Sequence, residues 1–199
     1  MSHRTGRLFV ISAPSGAGKT SLVRALLQTR PNLAVSVSHT TRRQRPNEVE
    51  GRDYHFVDVP QFEQMVAAGA FLEHARVFDN YYGTGRAQLE ARLAAGQDAV
   101  LEIDWQGARQ VRAALPGCTT IFILPPSRAA LEQRLQGRGT DSPQVIARRL
   151  ADAVTDMSHW REFDFVVIND RFDEAVAELM AVLDGSGQAL RRHPCRRQP

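Results

Sequence analysis

Two short stretches combine residue types at spacings suited to holding anions. The first, APSGAGKT from Ala13 to Thr20, matches the phosphate-loop pattern except that its first glycine is Ala13. In such a loop the backbone amides of Gly16, Ala17, Gly18 and Lys19 line a concave nest, and the two glycines let a phosphate come close. Lys19 would bridge the outer phosphates of a triphosphate, and the Thr20 hydroxyl would hold magnesium. Pro14, Ser15 and Ser21 complete the stretch expected to border the triphosphate. The second stretch, SHTTRRQRP from Ser38 to Pro46, packs three arginines and no acid into nine residues. A charge run of this kind also has the plain reading of an exposed loop. Shortly after it come Tyr54, Glu73 and NYYGT, Asn80 to Thr84, adding phenolic hydroxyls, a carboxylate and an expected glycine turn at Gly83. The mixture suits a nucleoside monophosphate, because arginine forks and phenols hold a phosphate while a carboxylate accepts from the N1–H and N2 donors of guanine.

The basic residues carry a further signal. Lysine and arginine together number 25, and the single lysine is Lys19 in the phosphate loop. A compact ammonium on a flexible stem can fold back over two phosphates, where a planar guanidinium is too bulky.

The elements that must position these residues can be read from periodicity. Leu8 to Ser12 reads as a short buried strand, followed by the glycine-rich turn and a helix from about Lys19 to Arg30 with Leu22, Val23, Leu26 and Leu27 on one face. DAVLEI from Asp98, TTIFIL from Thr119 and FDFVVI from Phe163 read as further buried strands. Helical patterns span about Thr84 to Ala95, stopped by Gly96, and about Gln106 to Leu115, stopped by Pro116 and Gly117. Strand and helix in alternation predict an α/β fold with a parallel sheet. Two insertions interrupt it. Residues 36–83 switch to short alternating segments with a small helix around Gln61 to Ala68, and residues 127–160 offer two helices, the second opened by Thr140-Asp141-Ser142-Pro143.

Composition narrows the class. The chain has 199 residues and 43% hydrophobic content, enough for one core, and its longest apolar runs are too short to cross a membrane. The first residues lack the apolar stretch of a secretory signal, so the expected location is the cytoplasm. Two cysteines cannot build a disulfide framework, and six histidines lie scattered without metal-ligand spacing. The net charge of +3 is modest, and four arginines fall in the last nine residues, so residues 186–199 read as a basic, disordered tail rather than a nucleic-acid site.

SAPSGAGKTSL, SHTTRRQRPNEVEGRDYHF, NYYGT, LEIDWQG, IFILPPS, RLQGRGT and VIND together resemble the successive motifs of guanylate kinases, the bacterial ones in particular, over about Gly6 to Leu183. The resemblance implies a three-layer phosphate-loop sandwich forming one domain, residues 1–185. Its core would be about 6–35, 84–126 and 161–185, its GMP-binding insert about 36–83 and its lid about 127–160. It implies transfer of the γ-phosphoryl of ATP to GMP with Mg²⁺. Ser38, Glu73 and Thr84 would meet guanine; Arg42, Arg45, Tyr54 and Tyr82 would hold the GMP phosphate, with Gly83 beside them. Arg134, Arg138 and Arg149 would approach the transferring phosphates with Lys19, and Asn169 would lie near adenine. Glu102 is assigned to guanine, or to a residue that contacts it, and Asp104 to the magnesium environment, although one of the two could instead merely cap the helix that follows. Holding both anions in line answers why one small chain has two anion-binding stretches, and an already anionic acceptor oxygen needs no general base. The competing readings are a related kinase acting on another phosphorylated acceptor such as a ribose bisphosphate, and an inactive binding module, which would be expected to lose Lys19 or the loop glycines.

Overall fold

The computed structural model describes residues 4–77, 79–137 and 143–190. In chain order these form β1 (Leu8–Ser12), α1 (Lys19–Thr29), β2 (Leu33–Val35), β3 (His39–Thr40), β4 (His55–Phe56), α2 (Val59–Ala67), β5 (Phe71–Val77) and β6 (Asn80–Gly85). There follow α3 (Arg86–Ala94), β7 (Asp98–Glu102), α4 (Trp105–Ala114), β8 (Thr119–Leu124), α5 (Arg128–Gln136), α6 (Pro143–Ser158), β9 (Phe165–Ile168) and α7 (Phe172–Asp184). One sheet has five parallel strands in the order β2-β7-β1-β8-β9, the other four in the order β4-β3-β6-β5. The parallel strands read as unbroken apolar runs because they are covered on both faces: Val10, Ile11, Ile121 and Ile123 are wholly buried.

The described residues divide into two compact units, one running to Leu8 and from Asn32 to Cys118, the other from Phe9 to Pro31 and from Thr119 onward. In the first, Phe62 of α2 stacks on Phe71 at 4.7 Å and on Tyr81 at 5.4 Å, fixing the helix to its four-stranded sheet. Asp58 starts α2 by accepting from the Gln61 amide at 2.8 Å. The NYYGT stretch is strand β6 rather than a glycine turn. Gly83 pairs with His39 on one side and His74 on the other, and a Cβ there would lie 2.9 Å from the Phe71 ring. A side chain is missing at that point of the strand so that an aromatic ring can cover it.

In the second unit, α5 and α6 are held together by Leu131, Leu135, Leu150 and Ala153, with Ile146 and Met157 against them. β9 starts at Phe165, later than its apolar pattern begins, because Asp164 is engaged sideways: its Oδ2 accepts from the amide and the hydroxyl of Thr120, both at 2.9 Å. α7 has no counterpart in the sequence reading; it buries Ala175, Leu179, Val182 and Leu183 and ends at Gly185 in a left-handed conformation, φ 80°. The chain remains folded beyond the expected boundary at 185. The amides of Ser186 and Gly187 donate to the Ala181 carbonyl, and Gln188–Leu190 form a 3-10 turn. The basic part of the expected tail, 191–199, lies outside the described residues.

Candidate active site

In the second unit, β1 delivers the chain into the phosphate loop, and α1 begins at Lys19. Gly16 and Gly18 take left-handed φ values of 91° and 93°, which only glycine adopts freely. Gly18 stands at the N-cap with no side-chain hydrogen bond, and the first turn of α1 contains no acid. Nothing negative from α1 itself therefore competes for the positive end of its dipole. Pro14 and Ala17 are buried, Ala13, Ser15 and Lys19 half-buried, and Thr20 and Ser21 exposed.

One further expected residue meets this loop, and a second meets that residue. The side-chain amide of Asn169, 6% exposed, donates through Nδ2 to the Ala17 carbonyl at 2.7 Å. Its backbone carbonyl receives Nη2 of Arg134 at 2.8 Å, and Nη1 of Arg134 is buried with no acceptor among the described residues. A buried guanidinium nitrogen in that condition fits a site whose missing partner is an anion. The Asn169 side chain is thus engaged with the loop backbone through Nδ2. Arg149 is half-buried on α6, and Arg138 lies outside the described residues.

The expected monophosphate residues belong to the first unit. Glu73 on β5 is 3% exposed, and its Oε1 accepts from the buried Thr84 hydroxyl at 2.6 Å. Ser38 Oγ stands 3.5 Å from Thr84 Oγ1, extending the polar line. The register passes from Phe71↔Gly85 to Glu73↔Thr84, so Leu72 is an extra residue, and this bulge aims Glu73 inward. α4 closes over it, with the position of a Cβ on Gly107 only 2.5 Å from Glu73 Oε2. Gln110 of the same helix binds the β5 backbone at His74, accepting from its amide at 3.1 Å and donating to its carbonyl at 2.8 Å.

Arg42 donates to Glu48 at 2.7 Å and to the Arg43 carbonyl at 2.7 Å, with its guanidinium 5.5 Å from the centre of the Tyr54 ring. Burial opposes the Arg42 charge, but the hydrogen bond and charge of Glu48, with Tyr82 beside it, raise its pKa, so the guanidinium stays cationic. Burial, the neighbouring Tyr82 and the charge on Glu102 push the Tyr54 phenol up to about 12, which leaves it a hydroxyl donor at any physiological pH. Tyr82 lies edge-on to Tyr54 at 5.9 Å, and Arg45 is exposed with its amide on Glu48 Oε2 at 2.9 Å. Glu48 escaped the sequence reading. Its position three residues after Arg45 and six after Arg42 in a turn was the available signal.

Glu102 is half-buried at the end of β7. Asp104 caps α4: Oδ1 accepts from the Gly107 amide at 2.8 Å and Oδ2 from Gln106 Nε2 at 3.1 Å.

A parallel sheet whose first strand enters a glycine nest at the N-terminus of a helix defines a phosphate-loop fold. Residues 5–186 match the family model described as guanylate kinase. A guanylate kinase of Methylococcus capsulatus is 60% identical over 187 residues, covering 94% of this chain and 92% of that protein. One from Chromohalobacter salexigens is 62% identical over 178 residues, 89% of this chain and 83% of its own. A crystal structure of guanylate kinase from Anaplasma phagocytophilum superposes with a TM-score of 0.78 at 33% identity, covering 94% and 89% of the two chains. The chain belongs to the guanylate kinase family.

Proposed function

We propose that the protein transfers the γ-phosphoryl group of ATP to GMP, reversibly, giving ADP and GDP. The observation that carries the choice of acceptor is the buried Glu73 carboxylate oriented by Thr84, since a ribose bisphosphate offers no paired N–H donors for such a group. Glu73, Thr84, Ser38 and Glu102 read guanine, while Arg42, Arg45, Tyr54, Tyr82 and the backbone at Gly83 hold the monophosphate. The loop from Ala13 to Ser21 cradles the ATP phosphates, with Lys19, Arg134, Arg138 and Arg149 neutralising the group in transit. Intact Lys19, Gly16 and Gly18 speak against an inactive binding module.

Magnesium accompanies the triphosphate in this reading. Such an ion keeps its waters and phosphate oxygens and asks for little from the protein, so the one hydroxyl of Thr20, exposed in the first turn of α1, fits it. When bound, it neutralises charge on the β- and γ-oxygens. No helix among the described residues is long and apolar enough to cross a membrane, and we place the reaction in the cytoplasm.

The deciding assay couples ADP release to each of AMP, GMP, CMP, UMP and dTMP. GMP should be turned over far faster than the others; equal rates across the five would overturn the reading. Lys19→Ala should lower kcat on the order of 100- to 1,000-fold while the thermal melt is unchanged.

A further inference from the structure

The phosphate loop is held from behind by one side chain that the sequence motif does not include. Asn169 follows the last parallel strand, β9, and its Nδ2 donates to the Ala17 carbonyl at 2.7 Å in a buried setting. No peptide among the described residues is cis. In a planar trans peptide the carbonyl and the amide of one unit point in opposite directions. Holding the Ala17 carbonyl toward Asn169 therefore turns the Gly18 amide the other way. Gly18 itself shows how close the approach is, because a Cβ there would lie 2.5 Å from Asn169 Nδ2. Glycine at 18 thus answers two demands at once, the left-handed φ of 93° and room for the Asn169 amide. The backbone carbonyl of Asn169 takes Arg134 Nη2 at 2.8 Å, leaving Nη1 buried with no acceptor among the described residues.

From this geometry we infer that Asn169 is a positioning residue for phosphoryl transfer: its side-chain amide sets the direction of the Gly18 N–H toward the triphosphate, and its carbonyl sets the direction of Arg134. This positioning acts on the phosphates of any nucleoside triphosphate. The inference rests on the phosphate loop holding the donor, as proposed above.

The test separates phosphate from base. Binding of inorganic tripolyphosphate, which has no base, is measured by calorimetry on the full chain with Asn169→Ala and Asn169→Asp, the latter isosteric but without an N–H to give. Loss of one buried hydrogen bond should weaken tripolyphosphate about tenfold in both. A misdirected loop should lower kcat on the order of 100-fold, with KM for GMP unchanged. The loss should be the same with ATP and with ITP as donor. Unchanged tripolyphosphate affinity, or a loss confined to ATP, would overturn the inference. Lys19→Ala is the control: if it too leaves tripolyphosphate bound, the donor site itself is misassigned, whereas loss in Lys19→Ala with retention in both Asn169 variants sinks the positioning role alone. A measurement on the unmodified chain needs no variant to fold. The Asn169 side-chain amide protons should exchange slowly with water, both free and with tripolyphosphate bound, and rapid exchange in the bound form would be a contrary result.

Discussion

Among single residues, Glu73 is the one proposed to carry the choice of base, and its chemistry is unusually constrained. One oxygen already accepts the Thr84 proton at 2.6 Å, and the other faces the first turn of α4 beside Gly107. A carboxylate can still accept two further N–H groups from guanine, since its lone pairs outnumber its present partners. Glu73→Gln keeps the shape but must turn either its carbonyl or its NH₂ toward Thr84, and it can no longer accept at both positions. The ratio of kcat/KM for GMP over AMP should fall on the order of 100-fold, chiefly through loss on GMP. An unchanged ratio in a paired assay would remove Glu73 from base reading. Tyr54 belongs to the same scale. With its phenol at about 12 it enters no titration near neutrality, so its contribution to the monophosphate should be flat across pH 6 to 9.

At the scale of elements, α4 is what makes Glu73 usable. The helix is capped by Asp104, tied to the edge strand β5 through Gln110 and bare at Gly107, where the carboxylate needs space. Gly107→Ala would force its Cβ within 2.5 Å of Glu73 Oε2, so the carboxylate must move. The cost should be about 1–3 kcal/mol of stability, with KM for GMP raised and ATP affinity unaltered. Asp104→Ala should cost about 1 kcal/mol as a lost cap, and Asp104→Asn less, because Asn also caps well. If Asp104 served the metal instead, Asp104→Asn would shift the magnesium dependence of turnover, and titrating magnesium in the two variants distinguishes the roles. How much of this was legible differs by element. β1, β7 and β8 announced themselves by unbroken apolar runs, because burial on both faces leaves no room for polar residues, and α1 by one apolar face following the glycine-rich turn. The Leu72 bulge and the strand character of NYYGT did not, because they depend on which strand lies alongside. Asn169 was legible through its motif but its contact was not, since nothing in VIND says that its amide reaches back to Ala17 across 152 positions.

For the molecule as a whole, its ionisable groups predict a two-stage loss of stability toward acid. His39 of β3 packs on the His55 ring at 4.7 Å and edge-on to Phe71, with Glu50 bonded to His55. Burial first, and the neighbouring His55 second, lower its pKa below the ordinary 6.5, against the pull of Glu50. The unfolded chain therefore takes up this proton before the folded one does, and stability falls as pH drops below 6.5. Three carboxylates then follow with folded pKa values below their ordinary ones. At Glu50 the cause is the Phe56 amide and then His55; at Glu48 and Asp98 burial works the other way but is outweighed by Arg42 and Arg7 respectively. Their contribution is fully present above the ordinary carboxylate range and is lost as pH falls through the depressed values. Glu178 has the opposite sign, raised by burial and by Glu174, and softens the second stage slightly. Thermal melts from pH 8 to 3 should therefore show a first decline of a few degrees starting near 6.5 and a steeper one in the carboxylate range. His39→Asn should abolish the first and leave the second, because it removes the buried imidazole without touching the Arg42–Glu48 and Arg7–Asp98 pairs. A melting curve that declines in the same two stages in the variant would show that the acid sensitivity near neutrality arises elsewhere in the chain.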